Sequence, residues 1–453
     1  MKSHRDFWFI AILSVALLCR AVLAQEVLGD RIGDIPPTTP PSFALLNVTV
    51  HTGTGPVLEQ ATILLRDGLI EAVGRGINVP ADAWQIDLSG KQVYPGLIDA
   101  LWPLDRSETP SRRRGNRSTS PGNEVPGLKS QVRVAERFQL DEKDRIAWRD
   151  HGILSLNLAP GEGIFQGQTA LVTLSDTSPS EMIVSPASGM QMSLQSLSAP
   201  DYPASLLGVM AFIKQTLLDA RHYQHAHQTY AQNSRGLPRP HTDLRLEALS
   251  SVISGSMPLL FPAERVHRIR QALQIAREHQ VKMVLVGGYE AVSLAEELKK
   301  AAIPVLVSLN FPKAPDKSKR NPYLEDSLRE LRYRQAARQA ASLLQNEGVL
   351  FGFASTHPMK PADFLKGVRT CVEAGLGPDA ALRAATSFAA RILGVDDRLG
   401  TIEAGKIANL IVTDGELFSE KTRIELMFVD GERYLPSPQI EDEDEEEDEE
   451  TRR

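Results

Sequence analysis

Cysteine is nearly missing from this chain of 453 residues, which has only Cys19 and Cys371. Cys19 falls in a short N-terminal apolar stretch that reads as a cleavable leader. The mature chain then holds one thiol and no intramolecular disulfide. Stability must come from a packed core, which this length permits. Long hydrophobic runs are missing too. Phe7 to Leu18 is shorter than the roughly 20 apolar residues that cross a bilayer. Lys2 and Arg5 precede it and Val22-Leu23-Ala24 come after it, the charged start and small-residue exit of a secretory leader. Leu18 is not the small residue that precedes a lipidated cysteine. The expectation is a secreted or periplasmic protein with no stable membrane anchor. Basic charge is not in excess either, since the formal net charge is −7, and nothing favours nucleic acid as a partner. The acidity concentrates in Glu441 to Glu450, ten acidic residues in succession. Such a run repels itself and reads as a disordered tail. No fixed-period repeat is present.

What is there is a patterned body. Short apolar segments at 43–50, 61–66, 69–73 and 84–88 are separated by Gly53-Thr54-Gly55, Asp67-Gly68, Gly74-Arg75-Gly76 and Ser89-Gly90. This predicts a small antiparallel sheet, with Asp67-Gly68 as a hairpin turn. A similar piece recurs late, with strands at 408–413 and 424–429 turning at Asp430-Gly431. The middle alternates. Strands are expected at 153–158, 169–174, 257–261, 282–286, 304–309 and 349–353. Helices are expected at 205–232, 263–278, 290–301, 362–374 and 378–393, with another from a cap at Asn321-Pro322 to Asn346. That alternation predicts a (β/α)8 barrel, with one small β-sandwich domain assembled from both ends of the chain.

Particular stretches carry a resemblance. Arg66-Asp67-Gly68-Leu69-Ile70, Asp87-Leu88-Ser89-Gly90-Lys91 and Pro95-Gly96-Leu97-Ile98-Asp99 stand near the start. Ala380 to Thr386, Ala389 to Gly394 and Leu399-Gly400-Thr401-Ile402-Glu403-Ala404-Gly405-Lys406 stand near the end. Together they resemble the amidohydrolase superfamily, in its imidazolonepropionase-like branch. The implied layout is a leader at 1–24, a linker at 25–42, sandwich parts at 43–94 and 397–435, a barrel at 95–396 and an acidic tail at 436–453. The resemblance also implies hydrolysis of non-peptide C–N bonds, as in cyclic amides. The family's metal is held by histidines of the first, fifth and sixth barrel strands and an aspartate of the eighth.

Those places read differently here. Leu101 and Pro103 stand where the first strand's two histidines would be. Phe261-Pro262 and Gly287-Gly288-Tyr289 stand at the ends of the fifth and sixth strands. Ser355 or Thr356 replaces the aspartate. Zinc needs three or more converging N or O ligands, so no cofactor is expected; zinc or another divalent metal would apply only if the loss were not real. His222 and His225 share a helix face that His227 leaves, and His151, His241, His267 and His279 read as surface residues. The remaining candidates gather at the barrel mouth: Asp99, Ser355, Thr356 and His357 for catalysis, and Gly163, Gln168 and Glu290 for substrate. Gly163 and Gln168 belong to a glycine-rich loop whose glycines serve positive φ or a weak anion site. Arg112, Arg113, Arg114 and Arg117 mark a polar loop that could attract anions. Cys371 reads as a buried small apolar residue. Three functions stay open: a degenerate amidohydrolase that keeps its pocket, an enzyme with a relocated metal-free site, and a non-catalytic ligand-binding or partner subunit beside an active amidohydrolase.

Overall fold

The computed structural model describes residues 42–104, 125–198, 201–313 and 327–438. The expected leader, the linker up to residue 41, the arginine loop and the acidic run lie outside the described residues. So do Asn321 and Pro322.

The chain begins with a meander of β1 (Phe43–Val50), β2 (Leu58–Arg66) and β3 (Leu69–Gly74), antiparallel throughout. Asp67 and Gly68 have φ of 52° and 78°, the left-handed pair of a tight hairpin turn. β4 (Trp84–Asp87) and β5 (Gln92–Pro95) then pair with β1 in parallel. The sheet is therefore mixed and not wholly antiparallel, because the 75–83 connection returns the chain to the start of β1, where β4 pairs, and β5 continues along the far end of β1 beside Thr49 and Val50.

One residue, Gly96, separates β5 from the barrel. A Cβ there would lie 2.8 Å from the Leu154 side chain, so only glycine passes between sheet and barrel without displacing a core leucine.

The barrel strands are β6 (Leu97–Pro103), β7 (Ile153–Ala159), β8 (Phe165–Thr173), β9 (Ile183–Met192), β10 (Leu259–Ala263), β11 (Met283–Gly287), β12 (Val305–Ser308) and β13 (Phe351–Ala354), adjacent in that order. β6 pairs with β7 in parallel, and β9 through β13 are mutually parallel. β8 runs antiparallel to both its neighbours, which corrects the simple alternation. A parallel crossover needs a dozen or more residues, and the links flanking β8 are too short for a helix. Two buried clusters sort the strand residues. Ile98, Ala100, Leu101, Leu260, Val284, Val286, Leu306 and Ala354 pack together with Ala389 and Ile392. Their sequence neighbours Leu259, Phe261, Leu285, Val305, Val307, Phe351 and Phe353 pack outward with the helices. Strands buried on both faces read as continuous apolar runs.

The sheet is completed by β14 (Leu410–Thr413), β15 (Ile424–Val429) and β16 (Glu432–Tyr434), with β14 antiparallel to β5. Its core mixes Phe43, Leu45, Ile63 and Val93 with Leu410, Val412 and Phe428, so both ends of the chain build it.

Several helices differ from expectation. The helix Leu328–Glu347 begins after Ser327, whose hydroxyl accepts from Glu330 N–H at 3.2 Å; the expected start at Asn321-Pro322 lies outside the described residues. The 378–393 stretch is broken into Pro378–Ala385 and Ser387–Ile392. Thr386 leaves the helical region and turns its hydroxyl onto Leu382 O at 2.6 Å. A helix at Glu142–Asp150 precedes β7. His279 is buried rather than on the surface, and burial lowers its imidazole from the ordinary value of 6.5. No described helix is long and apolar enough to cross a membrane.

Candidate site at the barrel mouth

Asp99 sits in β6 with no solvent exposure. Its Oδ1 accepts from Ser355 N–H at 3.0 Å and from Leu101 N–H at 3.2 Å, and its Oδ2 accepts from the Ser355 hydroxyl. Burial disfavours the charged form, and the Ser355 bonds oppose that. Burial wins, and the carboxyl is pushed up to about 6. Ser355 is itself fully buried. Next to it, Thr356 has φ of 59°, an unusual conformation for a β-branched residue. Thr356 N–H donates to Leu101 O at 3.1 Å, and its hydroxyl meets that of Ser308 at 2.6 Å. The bonds to Asp99 and Leu101 tie the eighth barrel strand to the first, and the Ser308 contact ties it to the seventh. His357 comes next, on the exposed side.

Deeper in the ring a second polar set is fully buried. Asn157 of β7 donates to Ala100 O at 2.9 Å and accepts from the Ser188 hydroxyl at 2.6 Å. Thr169 of β8 meets that hydroxyl at 2.7 Å. Sequence reading missed this belt, although isolated polar residues within apolar strands are its signal.

The substrate candidates are placed elsewhere. Gly163 has φ of 92°, and Ile164 N–H beside it donates to Gly127 O at 2.9 Å. Gln168 N–H donates to Val132 O at 2.8 Å, and a Cβ on Gly167 would lie 2.5 Å from that oxygen. The glycine loop thus docks residues 127–132 against β8, its positive φ serving close backbone approach. Glu290 accepts from Val266 N–H at 2.8 Å, capping the helix Val266–His279. The structure brings together Asp99, Ser355 and Thr356, with Ser308 added. Gly163, Gln168 and Glu290 are engaged in holding other segments.

At the ends of the fifth and sixth strands, β10 and β11, the side chains are also committed. Glu264 accepts from the Tyr333 hydroxyl at 2.7 Å. A Cβ on Gly287 would lie 2.6 Å from Glu264 Cγ, and one on Gly288 would lie 2.2 Å from Val305 Cγ1. Neither position has room for an imidazole. Among the described residues, no three His, Cys, Asp or Glu side chains gather as a metal-binding group.

Known proteins share this architecture. A sequence model of the amidohydrolase family matches residues 243–436. The crystal structure of an amidohydrolase from Thermotoga maritima MSB8 superposes with a TM-score of 0.71 at 25% identity, covering 87% of this chain and all of that one. The chain thus carries a domain of the amidohydrolase superfamily over residues 243–436. The imidazolonepropionase of Klebsiella pneumoniae (strain 342) is 23% identical over 385 residues, spanning 80% of this chain and 87% of that enzyme. A prolidase complexed with N-methylphosphonate-L-proline shares the fold at 18% identity, covering 87% of this chain and all of that one with a TM-score of 0.51. As an amidohydrolase-type barrel, this one places β6, β10, β11 and β13 as strands one, five, six and eight. Their ends carry Leu101 and Pro103, Phe261 and Pro262, Gly287 and Gly288, and Ser355 and Thr356.

Proposed function

We propose that this protein is an exported member of the superfamily that no longer performs metal-dependent hydrolysis and keeps its barrel mouth as a small-molecule binding surface. The observation that carries the reading is the commitment of Asp99. Both its oxygens are engaged by Ser355 and Leu101. The four strand ends beside it offer leucine, proline, glycine and hydroxyl groups. A catalytic zinc needs three protein ligands and an open position, and the donor set here does not fit one. Where a metal would join the first and eighth strands, a carboxylate–hydroxyl clasp joins them instead. The superfamily's hydrolysis of C–N bonds draws its nucleophile from metal-bound water, and among the described residues at those strand ends none offers an exposed substitute. A metal-free site at Ser355 is less well supported, because a nucleophile must touch its substrate and this hydroxyl has no exposure.

The test is elemental analysis of the purified protein with hydrolysis assays on lactams, cyclic imides and dipeptides, with and without chelator. The reading expects substoichiometric metal, no chelator-sensitive turnover, and thermal shifts from ligands related to those classes. Stoichiometric zinc with chelator-sensitive turnover would overturn it.

A further inference from the structure

On the barrel face opposite the mouth, where the strands begin, lies a cavity of about 1060 Å³. Its floor is apolar, formed by Pro258, Ile303, Pro304, Leu350 and Ile392. Its rim carries Arg277, Lys282, Lys300 and Arg391 against one acid, Glu297. All four cations are exposed, and none has a hydrogen-bond or ion-pair partner among the described residues. Three of them close helices, where a cation offsets the negative end of the dipole. That accounts for each singly. It does not account for their convergence with Lys282 on one apolar-floored cavity, where positive potential is focused.

The chain supplies the complementary charge. Ser437 N–H donates to Asp150 Oδ1 at 3.2 Å, and Asp150 ends the helix that leads into the start of β7. The described chain therefore stops on the same face as the cavity. The acidic run Glu441 to Glu450 begins three residues beyond Pro438. Fully extended, the segment from 438 to 450 reaches about 40 Å. A domain of this size has a radius of gyration of about 21 Å, so the run can cross the face. We propose that this acidic segment docks intramolecularly on the four-cation rim and occupies the cavity as an internal ligand. Tethering raises its local concentration to the millimolar range, so individually weak pairings suffice. Salt screens exposed pairs, which makes the docking reversible by ionic strength.

Zero-length carbodiimide cross-linking of the full chain, read by mass spectrometry, tests this. Lys282 and Lys300 are the reporters. The expected result is amide links from both lysines to carboxylates of 441–450, lost at high salt. A mixture with isotopically heavy chain should show them within one chain. In the double variant Arg277→Glu, Arg391→Glu the reporters remain, and the links should fall several-fold while the melting temperature is unchanged. Links confined to other lysines, links insensitive to salt and to the double variant, or links only between chains would overturn the proposal. If the variant melts lower, a synthetic peptide of the acidic run added to the unmutated chain should suppress the links in proportion to its concentration, and no suppression would likewise overturn it.

Discussion

Asp99 and Ser355 lie 256 positions apart and are joined twice, backbone N–H to Oδ1 at 3.0 Å and hydroxyl to Oδ2. Around that pair the barrel closes, and its consequences can be measured.

Ser355→Ala removes the hydroxyl and leaves a buried carboxylate oxygen without its donor. Such a loss costs about 1–3 kcal/mol. Urea unfolding of the variant should show that loss with an unchanged slope, and an unchanged midpoint would refute the clasp.

Asp99 also makes a pH prediction. Its folded value of about 6 lies above the ordinary 3.8. The folded state therefore holds the proton more tightly than the unfolded state. The stabilisation linked to this group is fully present below about pH 4 and is lost as pH rises through about 6. At about 1.4 kcal/mol per unit the span is on the order of 3 kcal/mol. Asp99→Asn keeps an acceptor for the two N–H groups and a donor toward Ser355 without the charge. The stability difference between wild type and variant should change across pH 4 to 6, with the variant gaining relative to wild type as pH rises. A difference that is flat with pH contradicts the burial argument.

Placing histidines on the first strand should not create a metal centre. Leu101→His with Pro103→His supplies two ligands, while Gly287 and Gly288 leave no space for a third and Glu264 is held by Tyr333. After incubation with zinc and desalting, the double variant should retain no stoichiometric metal. Retention of one zinc per chain would show that the other strand ends can contribute.

Gly96→Ala places a methyl 2.8 Å from Leu154. Overpacking of this kind costs about 1–3 kcal/mol, and thermal melting should fall accordingly. A neutral result would mean that the sheet–barrel junction yields easily.

Cys371 is fully enclosed, and burial pushes its thiol up to about 12. Alkylation at mildly alkaline pH should be negligible for the native protein and rapid after denaturation. Native reactivity would indicate local opening of the helix Pro361–Glu373.

How much of this was legible from residues alone depended on the length of the signal. β1, β6 and the hairpin at Asp67-Gly68 were readable because alternation or a turn pair marks them locally. β9 was not, because Pro186 and Gly189 interrupt its pattern. Gly189 is there because a Cβ would lie 2.8 Å from Leu260 of the next strand, a tertiary demand that propensity cannot reveal. The helix start at Ser327 was readable in principle from Ser-Leu-Arg-Glu, a capping-box pattern, but Asn321-Pro322 offered a rival signal upstream. Within the site, Asp99 and Ser355 were both named from sequence. Their pairing was invisible, since it depends on ring closure. Ser308 and Asn157 were missed because a lone polar residue in an apolar strand carries no local mark of its partner.

The reversed strand β8 has a kinetic consequence. β7, β8 and β9 form a meander whose pairings span few residues, so they need little loop closure before they gain contacts. The seam between β6 and β13 needs almost the whole barrel in place first. Assembly is then expected to start at the meander and finish at the seam, as a garment is zipped last along its opening. Substitutions at Asp99 or Ser355 should chiefly accelerate unfolding and leave the refolding rate nearly unchanged, whereas substitutions at Leu156 or Leu171 should slow refolding itself.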